Sequence, residues 1–366
     1  MNALERHLIA RIRADGPLSI ADYMAEALGH PLHGYYTTRD PLGARGDFIT
    51  APEVSQVFGE LIGLWCAEGW ERMGRPDPVI LAELGPGRGT LMADALRALR
   101  VAPAFRRALR LHLVEISPVL RRAQATALAE ASPVWHDDVA DLPAGPLILV
   151  ANEFLDALPI RQFLRRDDGW HERRIGLAGD DTAIAFTFDP LPGSDAAALI
   201  PAPLRDAPPG SLCEARPAAT ALAETLGARL ATEGGLALFI DYGHFPSACG
   251  DTLQALRRHR HHDVLAEPGT ADLTAHVDFA AFAAAARDAG ARAWGPATQR
   301  AFLETLGIEA RAATLLERAT PAQASAIASG CRRLIDPAAM GTLFKALALA
   351  QPRLPAPAGF AEESSP

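Results

Sequence analysis

The clearest break in the hydrophobic pattern lies at Val79–Leu84, VILAEL, apolar but for Glu83 and bounded by Pro78 and Gly85. A run without alternation predicts a strand buried on both faces. Gly85, Gly87 and Gly89 then form a tight turn, a helix is predicted from about Thr90, and a second apolar run, Leu111–Val114, delivers Glu115. Short apolar runs predict further strands at Pro133–Trp135, Leu147–Ala151, Leu236–Ile240 and Ala291–Trp294, while Leu343–Leu349 fits a strand or a helix. Helical spacing predicts Ala3–Arg13, from Leu4, Leu8 and Ile12, and an amphipathic helix over Glu53–Arg72. Ser19 is placed to cap a helix over Ile20–Leu28. Pro118–Ala131, Pro217–Thr232, Phe279–Ala289 and most of Thr298–Ala319 are also expected to be helical. Arg161–Phe188 alternates as a hairpin or meander around the turn Asp167-Asp168-Gly169. His30–Pro52 and Asp189–Pro209 hold no period and predict long loops, and Pro352–Pro366 a frayed tail.

Strand, glycine turn, helix, strand and terminal acid form one chemical unit. Glycines let the backbone approach a ligand and take positive φ, and the next helix points its free amides at that ligand. An acid at the tip of the following strand can accept both hydroxyls of a ribose. The spacing is G-x-G-x-G, with Thr90 where a dinucleotide fingerprint would carry its third glycine. That disfavours a dehydrogenase and favours a site for S-adenosyl-L-methionine; the alternative is an ordinary glycine-rich turn. Asp137 or Asp138, after the third strand, could accept from an adenine amino group or cap a helix. The fourth strand ends in Asn152-Glu153-Phe154-Leu155-Asp156, beside the glycine turn if the sheet is parallel, because ligands bind outside the carboxyl ends of such strands.

Composition narrows the class. The chain has 366 residues, 49% hydrophobic and 22% charged, and a formal net charge of -9. These values predict a globular protein of one large or two smaller domains, with no general affinity for nucleic acid and a charge suited to a basic substrate. No apolar run approaches a membrane span, and the N-terminus reads as neither signal nor transit peptide, so a bacterial cytoplasmic location is expected. Cys66, Cys213, Cys249 and Cys331 form no C-x-x-C pair, so neither zinc nor a disulfide framework is expected. His259–His276 carries several histidines and acids without ligand spacing and predicts a basic loop, with no metal.

The ordered motifs GYYTTRDPLGARGDFITAPEVSQVFGE, ELGPGRGTLMADALR, HLVEISP, ANEFLDALP, FIDYG, DTLQA, PGTADLTAHVDF, TQRAFLETLGI and MGTLFK span nearly the whole chain. In these the sequence resembles the MidA-like family, whose mitochondrial members are complex I assembly factors and protein-arginine methyltransferases. Ala51 stands where many members carry serine. The resemblance implies an α/β class I methyltransferase with a Rossmann-like seven-stranded sheet and S-adenosyl-L-methionine as cofactor. On it, Ala291–Trp294 and Leu343–Leu349 become the last two strands, one antiparallel. The expected organisation is a helical segment and cofactor-covering loop over 1–75, a core over 76–350 with insertions at about 161–230 and 298–338, and a tail over 351–366. The implied acceptor is an arginine of the 49-kDa-type subunit of complex I, converted to symmetric dimethylarginine.

A guanidinium is cationic at physiological pH, so the site must orient it and take a proton as the methyl group arrives, work suited to carboxylates. Glu153 and Asp156 are the first candidates, followed by Asp241 and by Asp278 with His276. Gly46, Asp47, Phe48, Thr50, Pro52 and Glu53 are expected to fold over the cofactor, with Asp47 near its methionine amino group, and Glu83, Thr90 and Asn152 to join the glycines and Glu115 in holding it. Two other readings compete: a methyltransferase of a small cationic or amine substrate, and a non-catalytic assembly chaperone, against which the intact glycines and Glu115 count.

Overall fold

The structure is a computed structural model, and it describes residues 1–39, 49–179 and 182–361. Gly46, Asp47 and Phe48, expected over the cofactor, lie outside the described residues. The chain forms two compact units, one of residues 1–48, 156–222 and 244–282, the other of 49–155, 223–243 and 283–366. The division therefore departs from a boundary near residue 75. The helix preceding it belongs with the sheet, because its apolar side chains are part of the sheet's core.

In the second unit seven strands are joined: β1 (Val79–Leu84), β2 (Leu109–Val114), β3 (Val134–His136), β4 (Leu147–Asn152), β5 (Gly235–His244), β6 (Arg292–Thr298) and β7 (Phe344–Ala350). Their order is β6-β7-β5-β4-β1-β2-β3. β1 runs parallel to both β2 and β4, and β7 antiparallel to β5 and β6. The ambiguous FKALALA segment is thus a strand, and one antiparallel strand closes the α/β sheet as expected. All six residues of β1 and of β4 are buried, which accounts for runs that are apolar but for Glu83 and Asn152. The chain order reverses between β1 and β4, so their carboxyl ends open the crevice where open α/β sheets bind ligands.

The helix expected over Glu53–Arg72 is two pieces. Ala51–Val54 is a single turn, and Ser55, extended at φ -158°, starts α1 (Gln56–Arg72) by accepting from the Val57 amide. α1 is covered on most sides rather than amphipathic, with Phe58, Ile62, Trp65 and Trp70 buried. Gly59 and Gly63 permit this: a Cβ on either would lie 2.7 Å from α2 (Thr90–Ala98), against Asp94 and Ala95 respectively. Buried Glu60 ties the same surface electrostatically, pairing with Arg97 of α2 at 3.2 Å and Arg311 at 2.7 Å. Helices Gln299–Thr305, Ile308–Leu316 and Pro321–Ile335 fill the chain between β6 and β7. The expected frayed tail packs instead through residue 360: Leu354 is buried, Phe360 meets Phe302, and Trp65 Nε1 donates to Ala358 O at 3.0 Å.

The first unit opens with helices Ala3–Asp15 and Ile20–Gly29, each started by a capping box, Asn2 with Glu5 and Ser19 with Asp22. The predicted meander is present as Arg161–Arg166, Gly169–Leu177 and Ile184–Pro190, extended by Leu18–Ser19 and by Leu212–Ala215. Asp189–Pro209 is less irregular than expected, containing a helix at Gly193–Leu199. His259–His276 is not a loop throughout: Arg260–His262 and Asp272–Thr274 flank Gln254–Arg257 in a small sheet. Cys213 and Cys249 form a disulfide across 36 residues, correcting the expectation of none. Cys66 and Cys331 are free thiols.

Candidate active site

The glycine turn at the end of β1 takes the conformation its composition demands. Gly85, Gly87 and Gly89 have φ of 58°, 54° and 83°, the left-handed region in which a side chain would be strained. Gly85 N donates to Val114 O at 3.0 Å, holding the turn to the end of β2. Gly89 is the N-cap of α2 and offers no side chain, so the first amides of α2 are left open at this turn.

Glu115, at the tip of β2, is buried and fixed through both oxygens. Oε1 accepts from the Ser117 amide at 2.7 Å and Oε2 from Gln124 Nε2 at 3.1 Å. Burial raises its carboxyl pKa, against the lowering effect of those two donors. Gln124, fully buried on the helix α3 (Pro118–Ala127), also donates to Gly87 O at 2.7 Å and accepts from Trp135 Nε1 at 2.8 Å. One amide group therefore joins the glycine turn, the acid of β2 and the strand β3. Sequence reasoning missed it, because a glutamine amid arginines on a polar-looking helix signals a solvated position.

The acids after β3 have local partners. Asp138 caps the turn Val139–Asp141 by accepting from Ala140 N at 2.9 Å, and the exposed Asp137 pairs with Arg121 at 2.5 Å. The same Arg121 donates to Glu115 O at 2.7 Å and His136 O at 3.0 Å, fastening the ends of β2 and β3 together.

At β1 itself Glu83 is buried, and its Oε2 has no hydrogen-bond partner among the described residues. Burial, and then the nearby Glu115 carboxyl, push its pKa up to about 8. At the end of β4, Asn152 donates through Nδ2 to Glu153 Oε1 at 3.1 Å, while its buried Oδ1 is likewise unpartnered. A buried acceptor left unsatisfied costs about 1–3 kcal/mol, a cost that a donor arriving from a ligand would remove.

Glu153 carries the strongest local signal. Its φ is 50°, a left-handed conformation that costs a non-glycine residue about 1–3 kcal/mol and persists where surrounding contacts impose it. Those contacts are visible: Glu153 N donates to Ile240 O at 2.8 Å, and its Oε1 accepts from Ala51 N at 2.8 Å. Asp241, at the end of β5, is buried and spends its carboxylate on backbone. Oδ2 accepts from Phe154 N at 3.1 Å and Leu155 N at 2.9 Å, and Oδ1 from Tyr242 N at 2.9 Å. The geometry gives Asp241 the work of positioning the Glu153 segment. Thr50 starts the short turn over Ala51–Val54, Pro52 is buried within it, and Glu53 Oε1 accepts from the Thr90 hydroxyl at 2.6 Å. That bond joins the chain before α1 to the head of α2.

The remaining candidates belong to the first unit. Asp156 is buried and its carbonyl accepts from Ala275 N at 3.1 Å and Arg216 Nη2 at 3.3 Å. His276 N donates to Thr252 Oγ1 at 2.9 Å. Asp278 accepts from Ala281 N at 3.0 Å, the hydrogen bond of a helix cap for Phe279–Asp288. Tyr36, from the GYY motif, donates to Asp272 at 2.7 Å, and burial beside Asp272 and Asp156 holds its phenol well above the usual range.

The donor set fits S-adenosyl-L-methionine: an open glycine turn, an acid for ribose hydroxyls, and unpartnered acceptors suited to a cationic amino group. Comparison with known proteins agrees. A family model described as S-adenosyl-L-methionine-dependent methyltransferase matches residues 61–297. The chain is 39% identical to the mitochondrial protein arginine methyltransferase NDUFAF7 homolog of Drosophila melanogaster, over 95% of this chain and 84% of that one. It is 36% identical to mitochondrial protein arginine methyltransferase NDUFAF7 of Homo sapiens, over 94% and 82%. A crystal structure from Burkholderia thailandensis, bound to S-adenosyl-homocysteine, superposes with a TM-score of 0.84 at 30% identity, covering 98% of this chain and 94% of that chain.

Proposed function

The chain belongs to the MidA-like family of S-adenosyl-L-methionine-dependent methyltransferases, and we propose that its acceptor is the guanidinium of an arginine in a protein. The observation that carries the reading is Glu153: a carboxylate at the end of β4, in a left-handed conformation and anchored by the Ala51 amide. Gly85, Gly87 and Gly89 would let the cofactor approach the backbone, Glu115 would take its ribose hydroxyls, and Glu83 with Asn152 would receive its methionine amino group. When bound, the cofactor supplies a methyl group on a positively charged sulfur, which a nitrogen can displace in line.

The chain's own groups must then solve a proton problem. A guanidinium is a poor nucleophile, and as one nitrogen forms its bond to carbon it gives up a proton. The Glu153 carboxylate accepts that proton and, before it, orients the planar cation through charge-assisted hydrogen bonds. Asp241 keeps the Glu153 segment in place by holding the amides of Phe154 and Leu155. Asp156, His276 and Asp278, expected here from the sequence, lie in the first unit and are given no part in this step.

The acceptor we assign is the 49-kDa-type subunit of respiratory complex I, with symmetric dimethylarginine as product and support of that complex's assembly as the consequence. The support is the naming of relatives as arginine methyltransferases, together with the motifs that resemble the MidA-like family. Incubating the protein with methyl-deuterated S-adenosyl-L-methionine and the unmodified subunit from the same organism tests it by mass spectrometry. Label on an arginine, lost with Glu153→Gln, supports the reading. Intact cofactor binding without labelled arginine removes the acceptor assignment and leaves the small-amine methyltransferase in its place.

A further inference from the structure

The short turn over Ala51–Val54 and the helices inserted between β6 and β7 enclose an open cleft of about 400 Å³ within the second unit. Its lining is mixed. Val54, Leu315 and Ile327 give it an apolar surface, and Glu53, Arg318 and Gln323 bring polar groups to it. Two features separate it from an incidental groove. Glu53 also accepts the Thr90 hydroxyl at 2.6 Å, so the cleft and the head of the helix after the glycine turn share a residue. The Arg318 guanidinium, exposed on the turn between Ile308–Leu316 and Pro321–Ile335, has no ion pair or hydrogen bond among the described residues.

The inserted helices are not needed to close the sheet, since β6 and β7 pair directly over their length. What the insertion adds at this place is a surface linked through Glu53 to the head of α2, with a cation unpaired among the described residues in a chain of net charge -9. We propose that this cleft docks the protein substrate, and that Arg318 receives a carboxylate side chain of the polypeptide carrying the methylated arginine. The inference rests on the protein-arginine reading above and adds how such a substrate is recognised. A substrate with a cationic target and a nearby acid would present opposite charges to opposite demands: the target to the carboxylates at the strand ends, the acid to Arg318. Such pairing fixes the register of a bound chain and rejects partners with the reverse pattern. Glu53 lines the same cleft but makes no ion pair with Arg318 among the described residues, and its Oε1 accepts from Thr90.

The test is steady-state transfer to the 49-kDa-type subunit, comparing the wild-type chain with Arg318→Glu and Arg318→Lys, with cofactor affinity measured by calorimetry for each. Arg318→Glu is expected to lower kcat/KM about 5–10-fold through KM, a size suited to reversing an exposed charge at an interface. Turnover at saturating substrate and cofactor affinity should be unchanged, and Arg318→Lys should stay within about twofold of wild type, since an exposed single-charge contact needs no fork geometry. Replacing acids around the methylated arginine by lysine, one at a time, should yield one substrate that restores transfer by Arg318→Glu. Unaltered kcat/KM in Arg318→Glu while the wild type labels the subunit would overturn the docking site alone, as would an equal loss of cofactor affinity. A wild type that labels no arginine would remove the acceptor reading and the docking site together.

Discussion

The Glu153 carboxylate accepts the backbone N–H of Ala51 at 2.8 Å, so the residue at the end of β4 is tied to the chain that leads into α1. Glutamine preserves an acceptor for that amide while removing the charge. Glu153→Gln should therefore fold with near wild-type stability and bind the cofactor. Its kcat should fall by about 10²–10⁴, the usual contribution of a positioned proton acceptor. Single-turnover transfer measured alongside calorimetry separates the two effects, and retention of kcat would remove Glu153 as the proton acceptor.

Asp241 should behave differently because its oxygens serve Phe154, Leu155 and Tyr242 amides. Asp241→Ala strands those donors in a buried place, at about 1–3 kcal/mol for each that finds no water. We expect a lowered denaturation midpoint together with slower transfer, where Glu153→Gln shows slow transfer alone. A stable but inactive Asp241→Ala would return this residue to direct chemistry.

Glu83 predicts a pH effect with a definite sign. Its pKa of about 8 in the folded chain lies above the ordinary value of 4.5. Between those values the unfolded chain has released this proton and the folded chain has kept it, so the group's contribution to stability falls as pH rises from about 4.5 to about 8. Glu83→Gln, a neutral mimic, should flatten that fall and be the more stable protein at pH 7.5. A cationic amino group arriving at the unpartnered Oε2 would favour the ionised carboxylate. Cofactor binding near pH 7 should then release up to about one proton, seen as a dependence of the calorimetric enthalpy on the buffer's ionisation enthalpy. Wild-type binding that releases no proton would exclude Glu83 as the partner of the amino group.

What the sequence made legible followed from how many residues each signal used. β1 and β4 are buried on both faces, and runs with five apolar positions in six, bounded by punctuation, leave little room for another reading. Of Leu343–Leu349, the part in β7 is buried but for half-buried Lys345, yet alternating alanine and leucine suit a helix equally, and only the family resemblance decided it. Leu212–Ala215 and Arg260–His262 were missed because strands of three or four residues are too short to show a period, and Leu212–Ala215 owes its structure to Arg161–Leu164 far along the chain. The glycine turn and Glu115 were found since glycine spacing is itself chemistry. That Asp241 meets three backbone amides was not, because an acid after a strand looks the same whatever partner it meets.

The disulfide was hidden for a similar reason, since Cys213 and Cys249 stand 36 residues apart with no spacing rule to join them. A cross-link over a loop of that length restricts the unfolded chain by about 4 kcal/mol on the chain-entropy estimate. Reductant should lower the denaturation midpoint of the wild-type chain, and the double variant Cys213→Ser, Cys249→Ser should start low and not respond. A wild-type midpoint indifferent to reductant would show that the bond contributes nothing to stability.

Gln124 offers the sharpest test of how the cofactor site is assembled. Its amide touches Gly87 O, Glu115 Oε2 and Trp135 Nε1, so its loss acts on three elements at once. Gln124→Leu keeps the volume and removes every polar contact, leaving the Gly87 carbonyl and the Trp135 N–H without a partner and Glu115 with one donor fewer. The cost of such orphaned groups, about 1–3 kcal/mol each, should appear in stability and in cofactor affinity. Gln124→Glu is the discriminating variant. It retains an acceptor for Trp135 but sets a second carboxyl against Glu115, whose pKa burial already raises. If Gln124 matters by holding Glu115 ready for the ribose, Gln124→Glu should bind the cofactor about tenfold or more weakly, the change equivalent to ~1.4 kcal/mol. The deficit should grow as pH rises and both carboxyls ionise. If Gln124 only fills the core, Gln124→Glu will lose stability while its affinity, measured well below the melting temperature, stays at the wild-type value across the pH range.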